Sequence, residues 1–367
     1  MKPFFLTCFL SMLPLFSHAN DLSFDVSGQA RGFYGYSDIN NRYKDNHSSQ
    51  NAVGDFEVNT EISYDINPDY KASLNLDLNA GIDHELKNYN QGVWGEEAYG
   101  IFDTPFGRLM AGQTYNVAKQ FHVGAPNAGN FDKTFISNFI QNPNWKRTSK
   151  DASFATLTST DINTDGTAPK ITYITPEFYG SYVGVSYVPE IYNRRGLVNK
   201  YADYAKEDGY VLSAYHYEDL GFADLNSSVG YGVFHNDDKE FSLGLNLSRG
   251  NWSLGGSWRK TYVDGQPYET KPLRTSLLFD NYREASAWEV GLGYDFGPYS
   301  MSLSYFDSKA DNTKNHDKVV MLSNVFQVNK YMEIYALGAY SQFEGQTHAL
   351  EENNKGYAVI TGVGFKF

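Results

Sequence analysis

Four basic residues, Arg31, Lys71, Arg108 and Arg259, each fall on the polar side of a segment in which apolar and polar residues alternate. Four acids, Asp132, Asp151, Asp161 and Asp165, lie together in one long stretch between two such segments. Charges spread in this way are not arranged to make or break bonds. Fixed charges on opposite sides of water set up a transverse field, which sorts ions and dipolar solutes at a narrow point. Arg31 and Arg108 lead this candidate set, with Lys170 as a further basic residue. Each could equally be a wall charge remote from any constriction.

No pattern for covalent chemistry stands beside them. The chain has no G-x-S-x-G, no H-E-x-x-H and no P-loop. Its histidines are scattered, and His84, His122, His235, His316 and His348 fall in expected loops or strand ends, where solvation explains them better than metal ligation. Asp161, Asn163 and Asp165 precede Gly166 as in a calcium loop, but the downstream Glu is missing, so a solvated turn is the simpler reading. A barrel enzyme would need a Ser/His or Asp/His pair at one rim, and none is identifiable. No enzyme activity, metal or cofactor is expected. The formal net charge of −13 makes nucleic acid a poor partner.

The N-terminus points to export. Met1-Lys2 is followed by a nearly continuous apolar run from Phe4 to Phe16, and then by Ser17-His18-Ala19. Residues 1–19 thus read as a cleaved secretory signal, too short to span a bilayer. Cys8, the single cysteine, lies inside it, so residues 20–367 carry no thiol chemistry. Beyond the signal no apolar run approaches the length of a membrane helix. Yet aromatic residues make up 16% of the chain, with 29 Tyr and 25 Phe, at a mean hydropathy of −0.49. Low hydropathy with many aromatics suits a barrel in which only alternate residues touch lipid and the rings sit at the two interfaces.

Period-two alternation supplies the elements. Phe56, Val58, Thr60, Ile62 and Tyr64 oppose Glu57, Asn59, Glu61, Ser63 and Asp65, and Leu74, Leu76 and Leu78 oppose Ser73, Asn75, Asp77 and Asn79. Trp252, Leu254 and Trp258 oppose Ser253, Gly255, Ser257 and Arg259, with both tryptophans on the lipid side. The polar faces, rich in Ser, Gly and Asn, are expected to line water. Sixteen segments of this kind are expected, near 22–36, 52–66, 70–83, 94–103, 107–114, 169–178, 181–188, 209–217, 223–234, 239–249, 251–263, 285–296, 298–307, 318–328, 331–343 and 356–367. Fourteen or eighteen strands remain open, because the fourth to seventh are weakly patterned. Tight turns alternate with long polar connections, as in an outer-membrane barrel. The longest connection, 115–168, carries Phe121, Phe131, Phe135, Phe139 and Trp145, so it is expected to pack. A short helix is expected within Phe131–Phe139.

Three elements carry a family resemblance: Tyr173 to Gly180 (YITPEFYG), the strand and turn from Gly291 to Pro298, and the closing strand that ends on Phe367. With these the whole of 20–367 resembles the general porins of Gram-negative bacteria. That resemblance implies an all-β fold, a transmembrane antiparallel barrel of sixteen strands in the cell outer membrane, in contact with lipid and lipopolysaccharide. It implies a homotrimer in which 115–168 folds inward as a constriction loop, with Phe367 as assembly signal. It also implies that a basic wall cluster, led by Arg31 and Arg108 on early strands, faces loop acids such as Asp132 and Asp151. The implied function is passive diffusion of ions and small hydrophilic solutes. The alternative is a substrate-specific porin for oligosaccharides or organic acids.

Overall fold

In the computed structural model, sixteen strands close into one antiparallel barrel. The structure describes residues 22–40, 49–83, 92–131, 133–147, 152–154, 156–190, 208–234, 238–262, 284–311, 314–347, 350–351 and 353–367. The expected signal, Asp132 and Asp151 lie outside them. The first five strands are β1 (Leu22–Ile39), β2 (Gln50–Asn67), β3 (Tyr70–Asp83), β4 (Gly92–Thr104) and β5 (Gly107–Gln113). After the long connection come β6 (Pro169–Ile174), β7 (Ser181–Val188), β8 (Gly209–Asp219), β9 (Asp224–Phe234), β10 (Asp238–Arg249) and β11 (Trp252–Tyr262). β12 (Ala285–Phe296), β13 (Tyr299–Ala310), β14 (His316–Asn329), β15 (Met332–Glu344) and β16 (Asn354–Lys366) complete the circuit.

Alternation becomes a two-faced wall. Leu243, Leu245, Leu254, Val290, Leu292, Leu303, Leu322 and Val359 are exposed on the outside, while Ser242, Ser257, Ser302 and Ser323 are buried on the inside. An exposed apolar belt of this extent is stable only against lipid. Aromatic rows border it at both ends. Near the short turns, Trp252 meets Tyr294 at 4.5 Å and Tyr299 meets Phe326 at 4.7 Å between ring centroids. Toward the long connections, Tyr187 meets Tyr210 at 5.0 Å and Trp288 meets Tyr305 at 5.1 Å.

Closure removes the sheet edges, which would otherwise leave rows of unpaired backbone groups in the membrane. β1 pairs with β16 from Gln29↔Lys366 to Ile39↔Gly356. Phe367 and Gly28 then exchange two main-chain hydrogen bonds of 3.1 Å, and the Phe367 ring stacks on Phe56 at 6.4 Å. Gly362 lets this seam close tightly, since a Cβ there would fall 2.2 Å from the Phe33 ring. The largest boundary change is at β6, which stops at Ile174 instead of continuing to 178, because Pro176 has no N–H to give the ladder.

The apolar cores lie inside the barrel, between its wall and the segment 114–168. This segment holds α1 (Val117–Gln120) and α2 (Lys133–Ile136), so the helix expected within Phe131–Phe139 forms as a single turn. Phe131, Ile136, Phe139, Ile140 and Leu157 bury against Phe33, Phe306, Met321, Tyr335, Leu337 and Ile360. Val117, Ala118 and Ile162 bury against Met110, Val188, Val211 and Phe234.

Candidate functional site

Irregular backbone placed inside a barrel must find hydrogen-bond partners. Hydroxyls on β7, β9 and β13 provide them. Val117 N–H donates to Ser186 Oγ at 2.9 Å, Val123 to Ser228 at 3.0 Å, Ala128 to Ser302 at 2.8 Å and Leu157 to Ser308 at 2.8 Å. Ala125 N–H donates to the Glu289 carboxylate at 3.0 Å. The inner serines of β7, β9 and β13 therefore hold the segment and do not simply line water, which corrects the sequence expectation. Where the main chain comes closest, the wall has no side chain: a Cβ on Gly244 would fall 1.8 Å from the Val123 carbonyl oxygen.

Buried charge fixes the segment further. Lys133 pairs with Glu289, and Arg259, fully buried, pairs with Glu240 at 2.6 Å while donating to Asn163 at 2.9 Å and Thr164 at 3.1 Å. On β14, Asp317 accepts from Asn142 at 2.9 Å and from both Asn144 and Thr156 at 2.5 Å. At the neck, Lys170 bonds the carbonyls of Thr114 and Gly166 and pairs with Asp165 at 3.1 Å, with both side chains at 0% exposure. Breaking such a pair strands a charge, at a cost of about 3–5 kcal/mol. The turn at Asp161–Gly166 is thus buried against the wall, not solvated as its sequence suggested. His122 is likewise covered, its ring 3.2 Å from Thr160 Oγ1. That burial holds it below the usual imidazole range, against the pull of Asp161 and Glu289.

The predicted site residues separate into two groups. Arg31, on the inner face of β1, makes a bidentate pair with Asp55, both contacts 2.9 Å, and reaches the Gly129 carbonyl at 3.3 Å. It therefore stands where wall and segment meet. Lys71 pairs with Glu61 at 3.4 Å, and Arg108 pairs with Asp103 at 2.6 Å beside the Thr104–Gly107 turn, both partly exposed. Arg259 is brought to the segment's underside instead and faces no open lumen. The facing partners expected in Asp132 and Asp151 lie outside the described residues.

Sequence reasoning missed the acids of the opposite wall. Inner polar side chains of β10 to β14 are buried under the segment, whereas Glu57, Asn59, Glu61, Asn75, Asp77, Glu96 and Glu97 on β2 to β4 are only half-buried. Asp77 and Glu97 are direct cross-strand partners. Glu57 is held by Gln29 at 2.7 Å and Asn59 at 3.0 Å, and Glu97 by Thr114 at 2.7 Å and the Tyr115 N–H at 3.0 Å. None of Glu57, Asp77, Glu96 and Glu97 has an ion-pair partner among the described residues. Like charges directly opposite on neighbouring strands destabilise a sheet. This wall thus gathers acids that have no ion-pair contact among the described residues. Strict alternation would send Glu96 and Glu97 to opposite faces. A register shift between Asp77 and Leu78 places Glu96 at an irregularity, where it still meets Asn79 and the Tyr115 hydroxyl inside.

Solved structures share this architecture. OmpF of Salmonella typhi, in a complex with daunomycin, superposes with a TM-score of 0.62 at 13% identity, over 94% of this chain and 97% of that one. The anion-selective porin of Comamonas acidovorans gives 0.59 at 14% identity, over 95% and 100%. The trimer form of OmpT from Vibrio cholerae gives 0.62 at 12% identity, over 95% and 100%. Identities this low establish the fold alone. No curated protein sequence matches the chain. A family model described as Gram-negative porin matches residues 7–346. With a barrel whose outer belt suits lipid and whose lumen is polar, this makes the protein an outer-membrane channel for passive diffusion of small solutes. The chain belongs to the Gram-negative porin family.

Proposed function

We propose that small hydrophilic solutes and ions cross this porin between the segment 114–168 and the acidic inner wall of β2 to β4. The observation that carries this reading is the asymmetry of the lumen. The charged wall residues Glu240, Arg259, Glu289 and Asp317 of β10 to β14 are covered, whereas Glu57, Glu61, Asp77, Glu96 and Glu97 of β2 to β4 stay half-buried. The segment is then the constriction loop, and the narrow point is bounded by Arg31 with Asp55, Lys71 with Glu61, and the acids around Asp77, with Arg108 nearer the turns. A cluster of acids without ion-pair partners attracts cations and repels anions, so the passage favours cations most at low ionic strength, where screening is weak.

The protein acts without covalent chemistry, as a homotrimer in contact with lipid and lipopolysaccharide, after export directed by residues 1–19. A trimer form exists for OmpT of Vibrio cholerae, whose fold this chain shares. Small outward residues on β1 to β4, among them Ala30, Gly32, Ala52, Gly54, Ala72 and Gly100, permit close approach of a second copy.

Single-channel recording in planar bilayers tests the reading. Wild-type protein should give stable ohmic steps, and removing Asn130 to Asn163 should raise conductance and admit larger sugars in liposome swelling. Correctly assembled protein with unchanged conductance after the deletion would place the constriction elsewhere.

A further inference from the structure

Three aromatic side chains meet in the lumen on the turn side of the inserted segment. Phe121 follows α1, while Tyr182 of β7 and Tyr215 of β8 share the inward faces of Gly184, Ser186, Val211 and Ser213. Ring centroids are 6.1 Å apart for Phe121 and Tyr215, 6.5 Å for Phe121 and Tyr182, and 6.4 Å for Tyr182 and Tyr215, all mutually tilted. Phe121 and Tyr182 rest on the second apolar core, and all three rings remain only half-buried. Acceptors border them. Glu177 takes the Tyr182 hydroxyl hydrogen bond at 3.0 Å, Asn226 takes that of Tyr215 at 2.5 Å, and Asp224 takes that of the neighbouring Tyr217 at 3.2 Å.

No cation among the described residues partners this group. Elsewhere in the lumen a cation of the chain sits over a ring, as Arg31 does over Phe33 at 5.9 Å and Lys119 over Tyr115 at 4.3 Å. Among the described residues none lies over Phe121, Tyr182 or Tyr215, and Glu177 has no ion pair. Aromatic faces attract cations through the ring quadrupole. A tyrosine that donates to a carboxylate gains electron density in its ring, since the bond is charge-assisted. An anion would be repelled by Glu177 and Asp224. A small hydrated metal ion would have to shed water for ring faces that replace it poorly. An organic ammonium, weakly hydrated and partly apolar, matches both the rings and the carboxylates.

We propose that Phe121, Tyr182 and Tyr215, with Glu177 at their edge, form a transient binding station for organic ammonium ions on the diffusion path. This rests on the channel reading above and adds a recognised class of solute to it. The test is single-channel recording in potassium chloride, with tetraethylammonium added as probe and glucose and tert-butanol as uncharged controls. Tetraethylammonium should interrupt the current in resolvable events, and the controls should not. Tyr182→Leu and Tyr215→Leu should each shorten those events by roughly two- to fivefold, the factor that corresponds to an exposed cation–π contact. Tyr182→Phe, which keeps the ring, should retain most of the residence time, and Glu177→Gln should shorten it. Open channels of normal conductance that tetraethylammonium does not interrupt would overturn the station alone. So would equal interruption by glucose, or events unchanged in both leucine variants. A wild-type protein with no conductance would remove the passage and the station together.

Discussion

Phe139 offers the sharpest perturbation of the inserted segment. It is 1% exposed, packs on Phe135 at 5.6 Å between ring centroids, and lies so close to β1 that a Cβ on Gly35 would fall 2.6 Å from its ring. Phe139→Ala removes the ring without touching any main-chain ladder of the barrel. The whole cost therefore falls on docking of the segment, and for a buried Phe→Ala it is about 3–5 kcal/mol. That lowers the ratio of docked to undocked segment by roughly two to four powers of ten. Phe241→Ala on the lipid face, where Phe241 is 39% exposed, is the control and should leave docking unchanged. The readouts are single-channel steps and protease cleavage within 114–168 in reconstituted protein. Phe139→Ala should show frequent excursions to a higher conductance and faster cleavage, with the assembled barrel retained. Wild-type conductance and cleavage in assembled Phe139→Ala would mean that the interior apolar core does not hold the segment.

Three further outcomes follow from described contacts. Asp77→Asn with Glu97→Gln removes a like-charge cross-strand pair, so the reversal potential under a salt gradient should move toward the non-selective value while the barrel becomes slightly more stable; an unchanged potential would take the field away from β2 to β4. His122 is held below its ordinary range by burial, and it gains a proton more readily once the segment is released. The contribution of His122 to docking is therefore complete above about pH 6.5 and is lost as the pH drops below it, so this residue should increase conductance fluctuations on mild acidification and His122→Asn should flatten that part of the dependence. Deleting Phe367 removes the two main-chain bonds to Gly28 and the stack on Phe56, and should reduce the yield of assembled barrel while export continues; a normal yield of heat-stable oligomer would dismiss the residue as an assembly signal.

The barrel was legible because its physics is local in sequence. A lipid face opposite a lumen face imposes period two, and Gly-Pro and Asn-Pro-Asp punctuate it, so Leu74, Leu254 and Val359 declare their side one residue at a time. The lumen was harder to read, because what happens there depends on which wall the inserted segment covers. Arg259 and Glu57 occupy equivalent inward positions in their strands, yet one is sealed under Thr164 and the other meets water. Nothing in their neighbouring residues distinguishes them. The serines of β7, β9 and β13 had the same ambiguity, since a hydroxyl serves water and a buried backbone N–H equally well. Glu96 and Glu97 were hidden by a register irregularity, which breaks the alternation that the reading relied on.

The seam between β1 and β16 constrains how the molecule can come into being. One edge of β1 pairs with β2, but the other, from Gln29 to Ile39, is filled by Gly356 to Lys366, more than three hundred positions later, so the first strand of the barrel keeps an open edge until the last arrives. Until then every growing intermediate carries two open edges and an unsheltered row of leucines, a state prone to pairing with other chains. Contacts of such long sequence separation also make folding slow. A chain built this way has to be kept unfolded in transit and completed in one act at its destination. The membrane is then the place where the fold is reached as well as the place where it works.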